Sequence, residues 1–166
     1  MPTSAAPVPS PSGPREGSGP RAQDADWATQ RRQAAAERAR MLQARADAEH
    51  ARAARIVSLF VQVARAQDLA AQPLVVQGYG SGTARTPLKG WYLRADRTVA
   101  IDVDGRFYVL SKPLSLRERL LGTVPVAEPV PMTIGEGGRD GDIVPLRFAL
   151  ERLLPGWEAL SPEPLA

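Results

Sequence analysis

Residues 24–72 read DADWATQRRQAAAERARMLQARADAEHARAARIVSLFVQVARAQDLAAQ, and this run decides the fold. It holds no glycine or proline, while the rest of the chain holds all 14 glycines and all 16 prolines. Alanine, the best helix former, recurs throughout, and Arg, Gln, Glu, Leu and Met fill most other positions. One long helix, or two with a slight break, is the expectation. At 1.5 Å per residue such a helix spans roughly 70 Å. The body that follows, about 85 residues, is only about 25–30 Å across. Part of the helix is therefore expected to project, bend back or meet another chain. The clue points to a mode of assembly rather than to a reaction.

The helix changes character near Arg55. Residues 24–54 carry only three large apolar side chains, Trp27, Met41 and Leu42. Beyond them Ile56, Leu59, Phe60 and Val63 follow the i, i+3, i+4, i+7 spacing of a buried face, and Pro73 closes the run. Asp24 or Asp26 is placed to cap the start, where negative charge favours the helix dipole. Written as a heptad, the helix has a seam through Ala28, Ala35, Ala39, Leu42, Ala46, Ala53, Ile56 and Phe60, interrupted by Arg32 and Glu49. Arg31, Arg38, Arg45 and Arg52 recur every seven residues beside it, a position that often carries interchain charge in coiled coils.

On either side the composition shifts. Residues 1–23 hold six Pro, four Ser and three Gly with little apolar content, and read as a disordered tail. After Pro73 the pattern turns to strands at Leu74–Gln77, Trp91–Arg94, Thr98–Val103 and Arg106–Leu110. Asp104-Gly105 is a hairpin signal between the last two. Ser115 and Glu118 form a capping box that opens a short helix closing at Gly122. Met132–Ile134 is a candidate edge strand. Pro145 opens a helix with Leu146, Ala149, Leu150, Leu153 and Leu154 on its apolar face. The reading is α+β: an antiparallel β-meander packed by the N-terminal long helix and a C-terminal helix. The domain covers 55–155, with a projecting helical arm at 24–54 and a frayed tail at 156–166.

Composition limits the chemistry. The formal net charge is +3, from 21 basic and 18 acidic residues, and no region has the excess expected where phosphate contacts dominate affinity. The absence of cysteine excludes disulfides and thiolate chemistry, and one histidine, His50, is too few for an ordinary zinc site. No catalytic residues, cofactor or metal ligands are assigned, and the expectation is a non-enzymatic protein. The N-terminus lacks a signal-peptide core, and Ile56–Ala64 is far shorter than the roughly 20 residues that span a bilayer. A cytoplasmic protein with no membrane partner is expected. Nineteen arginines against two lysines, and no asparagine, fit a GC-rich coding sequence, which supplies both Ala and Arg.

Several constellations have a bland reading. Gly78, Gly80 and Gly82 lack the lysine and following helix of a phosphate loop and read as a mobile loop. Residues 135–142 place three acids among four glycines without the ligand spacing of an EF-hand, and read as a solvent loop. Asp102 and Asp104 have no perturbing partner for general acid/base work. An aromatic strand face around Trp91, Tyr92 and Tyr108, and a small-ligand position beside Tyr79, Trp91 and Arg94, are secondary candidates.

The block Gly90-Trp91-Tyr92-Leu93-Arg94, Val99–Asp102, Asp104–Leu110 and Gly137–Gly141 resembles an uncharacterised family of small proteins from GC-rich bacteria. There an Ala/Arg-rich helical arm precedes the same body. The resemblance, over about 27–155, implies that architecture and no activity, so it transfers no site residues. The function expected is a protein-protein interaction or adaptor role through the arm, by a partner protein or by self-association. Its contact residues are Trp27, Arg31, Arg38, Leu42, Arg45 and Arg52. The alternative is a weak nucleic-acid or phosphate-ligand binder using the arm arginines.

Overall fold

The alanine-rich run folds as one helix, α1 (Pro20–Ala66), in a computed structural model that describes residues 20–135 and 143–165, with side chains from Asp26 onward. Of the expected 1–23 tail, residues 1–19 lie outside the described residues, as does most of the glycine-acid loop, 136–142, whereas 20–23 are the first turn of α1 and not disordered. Because α1 starts at Pro20, Asp24 and Asp26 sit within the helix rather than at its cap. It ends earlier than Pro73 requires: Asp68 takes a left-handed conformation at φ 52°, and the Leu69 N–H closes the last turn on the Ala64 carbonyl.

The chain divides into two compact units, Met1–Leu42 and Gln43–Ala166. In the first, every side chain from Thr29 to Leu42 is exposed. In the second, α1 buries Ala53, Ile56, Val57, Phe60, Val61 and Ala64, a broader stripe than the four-residue face read from spacing. Packing also starts before Arg55. Ala53 is fully buried, and half-buried His50 donates from Nδ1 to the Val130 carbonyl at 2.9 Å.

Five strands follow: β1 (Gln72–Gly78), β2 (Thr83–Tyr92), β3 (Val99–Asp102), β4 (Phe107–Val109) and β5 (Ser111–Lys112), in the order β4-β3-β2-β1-β5. The sheet is mixed rather than a pure meander, because β5 runs parallel to β1. β4 and β5 stand at opposite ends of that order, yet only Leu110 separates them along the chain. Consecutive Cα atoms are about 3.8 Å apart, so the sheet has to curl until its edges meet. Leu110 makes the join: its N–H donates to the Thr98 carbonyl and its carbonyl accepts from Gln77, both at 2.7 Å.

β2 is longer than the sequence pattern indicates, because Pro87 hides its first half. Proline removes a ladder donor, and strands tolerate it at bulges. Here the β1–β2 register shifts between Pro73 and Val75, which leaves Thr86–Leu88 out of the ladder. The Thr86 hydroxyl fills the gap, donating to the Leu74 carbonyl at 2.7 Å and accepting from the Leu88 N–H at 3.2 Å.

Two cores result. Inside the curl lie Leu74, Val76, Ala84, Ala100, Tyr108 and Leu110. On the other face α1 packs against Trp91, Leu93, Val99, Ile101 and Phe107. Phe60 stands at its centre, edge-on to Trp91 at 6.0 Å and to Trp157 at 5.4 Å. The remaining elements are α2 (Leu116–Leu121), the β6 (Thr133–Ile134) and β7 (Val144–Pro145) hairpin, and α3 (Leu146–Leu153), which buries Leu146, Ala149 and Leu150. The C-terminal segment corrects the expectation of a frayed tail. A 3₁₀ turn, Trp157–Leu160, sinks Trp157 into the main core, and Glu158 and Glu163 pair with Arg147 and Arg55. Pro155 and Gly156 do stop α3, but an indole is too large an apolar group to leave in water when a core lies beside it.

Candidate functional site

All six expected contact residues lie on α1. Trp27, Arg31, Arg38 and Leu42 belong to the first unit, and Arg45 and Arg52 to the second. Trp27 is 64% exposed and Leu42 68%, with Met41 similarly open. The four arginines are exposed, and Arg31, Arg38 and Arg45 form no ion pair among the described residues. Ala28, Arg31, Arg32 and Ala35 outline a shallow depression of about 350 Å³. Local hydrogen bonds decorate the helix: Arg32 Nε donates to the Ala28 carbonyl at 3.2 Å, and Gln43 Nε2 to Asp47 at 2.8 Å. The heptad seam has two fates. From Ala53 onward, Ile56, Phe60 and Val63 are consumed by the protein's own core, whereas Ala35, Ala39 and Leu42 remain open.

The aromatic strand face does not exist as a surface. Alternation sends Trp91 to the α1 side, where its Nε1 donates to the Ala70 carbonyl at 3.2 Å. Tyr92 and Tyr108 pack on the opposite side, inside the curl. The Tyr92 hydroxyl accepts from the Val75 N–H at 2.9 Å, within the segment where the bulge disturbs the ladder. The small-ligand position also comes apart. Tyr79 is exposed in the β1–β2 loop and Trp91 is buried. Arg94 borders a cavity of about 260 Å³ lined by Ala95, Asp96, Val144 and Arg152, with neither aromatic in it.

Asp102 has structural work. It is buried, its Oδ1 accepts from the Asp104 and Arg106 N–H groups at 2.9 Å each, and its Oδ2 accepts from the Tyr108 hydroxyl at 2.9 Å. Those bonds shape the β3–β4 turn, where Gly105 takes φ 81°. Burial, and then the Asp102 carboxylate, push the Tyr108 phenol above its ordinary pKa, so it remains a donor.

The sequence reading placed α2 and its capping box, and missed which way the helix faces. The capping box forms as expected, with Ser115 and Glu118 capping reciprocally. Glu118 is also held by Lys112 Nζ at 2.5 Å and by Thr123 at 3.2 Å. The lysine bond and the Ser115 donors pull its carboxyl down to about 2. The folded state therefore binds this proton less tightly than the unfolded chain. Its stabilising contribution is complete above the ordinary carboxylate value of 4.5 and is lost as pH falls from there through about 2. A carboxyl-detected NMR titration is expected to place Glu118 well below the ordinary value of 4.5, and Lys112→Met to return it toward that value. While that network turns inward, Leu116, Leu120 and Leu121 all face solvent. The signal was legible in the helical wheel, which sets Glu118 opposite Leu116 and Leu120.

Comparison with protein-family models, with curated proteins and with solved structures finds no match to this chain.

Proposed function

We propose that the protein is a non-enzymatic interaction or adaptor protein that acts through the N-terminal part of α1. It engages a partner protein or a second copy of itself from a cytoplasmic location. The observation that carries this reading is the run Thr29–Arg45, seventeen consecutive helical residues with every side chain exposed, which includes Met41 and Leu42. Helices in proteins owe most of their stability to a packed apolar face. This segment has none among the described residues, yet Met41 and Leu42 within it and Trp27 just before it stand exposed, and a tryptophan is an anchor of the kind that dominates interface energy. Arginines at seven-residue intervals beside the open seam supply orientation and salt sensitivity, as flanking charges do in paired helices.

Affinity capture with the full chain, repeated across a salt series, tests it. Replacing Arg31, Arg38, Arg45 and Arg52 by Gln is expected to weaken partner capture or self-association and to flatten its salt dependence. Capture of nucleic acid in place of protein, lost in the same variant, would favour the second reading, in which these arginines track phosphates.

A further inference from the structure

α2 is inverted relative to an ordinary packed helix. It buries no residue of its own, and its inward side carries the polar Glu118 network. At 3.6 residues per turn Leu116 and Leu120 share the face opposite Glu118. They are 76% and 85% exposed. Leu121 and Val124, also exposed, border a shallow groove of about 420 Å³ whose other wall is Arg85–Pro87. The β1–β2 loop meets the Arg119 flank of α2: a Cβ on Gly82 would lie 3.3 Å from Arg119 Nε. Arg85, Arg117 and Arg119 rim the patch, all exposed and without an ion pair among the described residues. The nearby acid, Glu118, is already neutralised by Lys112.

Soluble monomers seldom leave a contiguous apolar patch rimmed by charge unless it binds something. A globular partner fits poorly. Stable protein interfaces take roughly 20–30 residues a side, and the apolar part of this face is a handful of side chains. Here a few aliphatic knobs stand free on a rigid, capped base. A bilayer surface suits them better: aliphatic side chains enter the acyl boundary and arginines meet anionic headgroups. We propose that the α2 face, with Leu116 and Leu120 as its insertion point and Arg85, Arg117 and Arg119 as its rim, docks the protein peripherally on an anionic bilayer. This departs from the expectation of no membrane partner, which weighed only a spanning segment. No described helix is long and apolar enough to cross a membrane, and α2 would lie on the surface. The proposal does not rest on the α1 reading.

Co-sedimentation of the full chain with vesicles of equimolar phosphatidylserine and phosphatidylcholine tests it, beside vesicles of phosphatidylcholine alone. Binding to the anionic vesicles that weakens with salt is expected. Leu116→Ser with Leu120→Ser should reduce it to the level seen on phosphatidylcholine, with the melting temperature unchanged because both side chains already face water. Arg117→Gln and Arg119→Gln should each weaken binding by about fivefold. The Trp27→Ala, Leu42→Ala chain should bind vesicles like wild type. Absence of binding to anionic vesicles overturns the proposal, as does equal binding by the double-leucine variant or loss of binding in the Trp27, Leu42 variant. If the leucine variant misfolds, undiminished binding by the arginine variants overturns it. Loss of self-association in the leucine variant, with vesicle binding intact, would make the face a contact between copies and overturn it too.

Discussion

Phe60→Ala is expected to lower stability by about 3–5 kcal/mol, the range for removing a buried phenylalanine. The side chain has no exposed surface, and its ring is the piece against which Trp91 of the sheet and Trp157 of the C-terminal turn both pack edge-on. Truncation therefore opens a cavity at the point where three parts of the second unit converge. Aromatic pairs of this geometry add about 0.5–1.5 kcal/mol each beyond area burial. The loss is a large share of the roughly 5–15 kcal/mol that stabilises a typical domain. Thermal unfolding checks it: a fall in Tm of more than about 10 °C is expected for such a loss. A variant that melts like wild type would mean that α1 does not seat on the sheet through this ring.

Gly90→Ala is expected to be as damaging for the opposite reason. A Cβ at this position would stand 2.0 Å from the Ile101 carbonyl oxygen and 2.7 Å from the Asp102 Cα. Both are backbone atoms of β3, and Gly90 pairs directly with Asp102. No flexible side chain is there to yield, so β2 and β3 have to part. Overpacking usually costs about 1–3 kcal/mol, occasionally more, and a clash with paired backbone belongs at the upper end. Parting those strands would also disturb the Asp102 bonds that hold the β3–β4 turn. The expected result is a chain recovered largely in insoluble form, or one whose urea midpoint falls sharply. Wild-type stability in this variant would contradict the observed β2–β3 register.

The helices and the β3–β4 hairpin were legible in the sequence because local signals decide them. Forty-nine residues without Gly or Pro, an Asp-Gly turn and a Ser115–Glu118 capping box each act over a few positions. The features that escaped depend on distant partners. Pro87 and the nearby glycines mask the first half of β2, which is a strand only because a bulge opposite Leu74 accommodates them. β5 is two residues long, and its parallel pairing with β1 follows from closure of the sheet rather than from its own composition. Trp157 looked like part of a tail because Pro155 and Gly156 precede it, and nothing local announces the space beside Phe60. The candidate site divides the same way. The exposed anchors of α1 followed from helix length against body size, whereas the aromatic face failed because strand alternation sends Trp91 and Tyr108 to opposite sides.

The central claim is that α1 carries the interaction and the second unit carries stability. Its most direct test is one paired measurement on the full-length protein with Trp27→Ala and Leu42→Ala combined: the melting temperature, and partner capture or self-association by sedimentation velocity. Both side chains are mostly exposed, so the melting temperature is expected to stay at the wild-type value. The association is expected to disappear, because large anchors carry most interface energy. A variant that melts normally and still retains every partner of the wild-type chain would contradict the account.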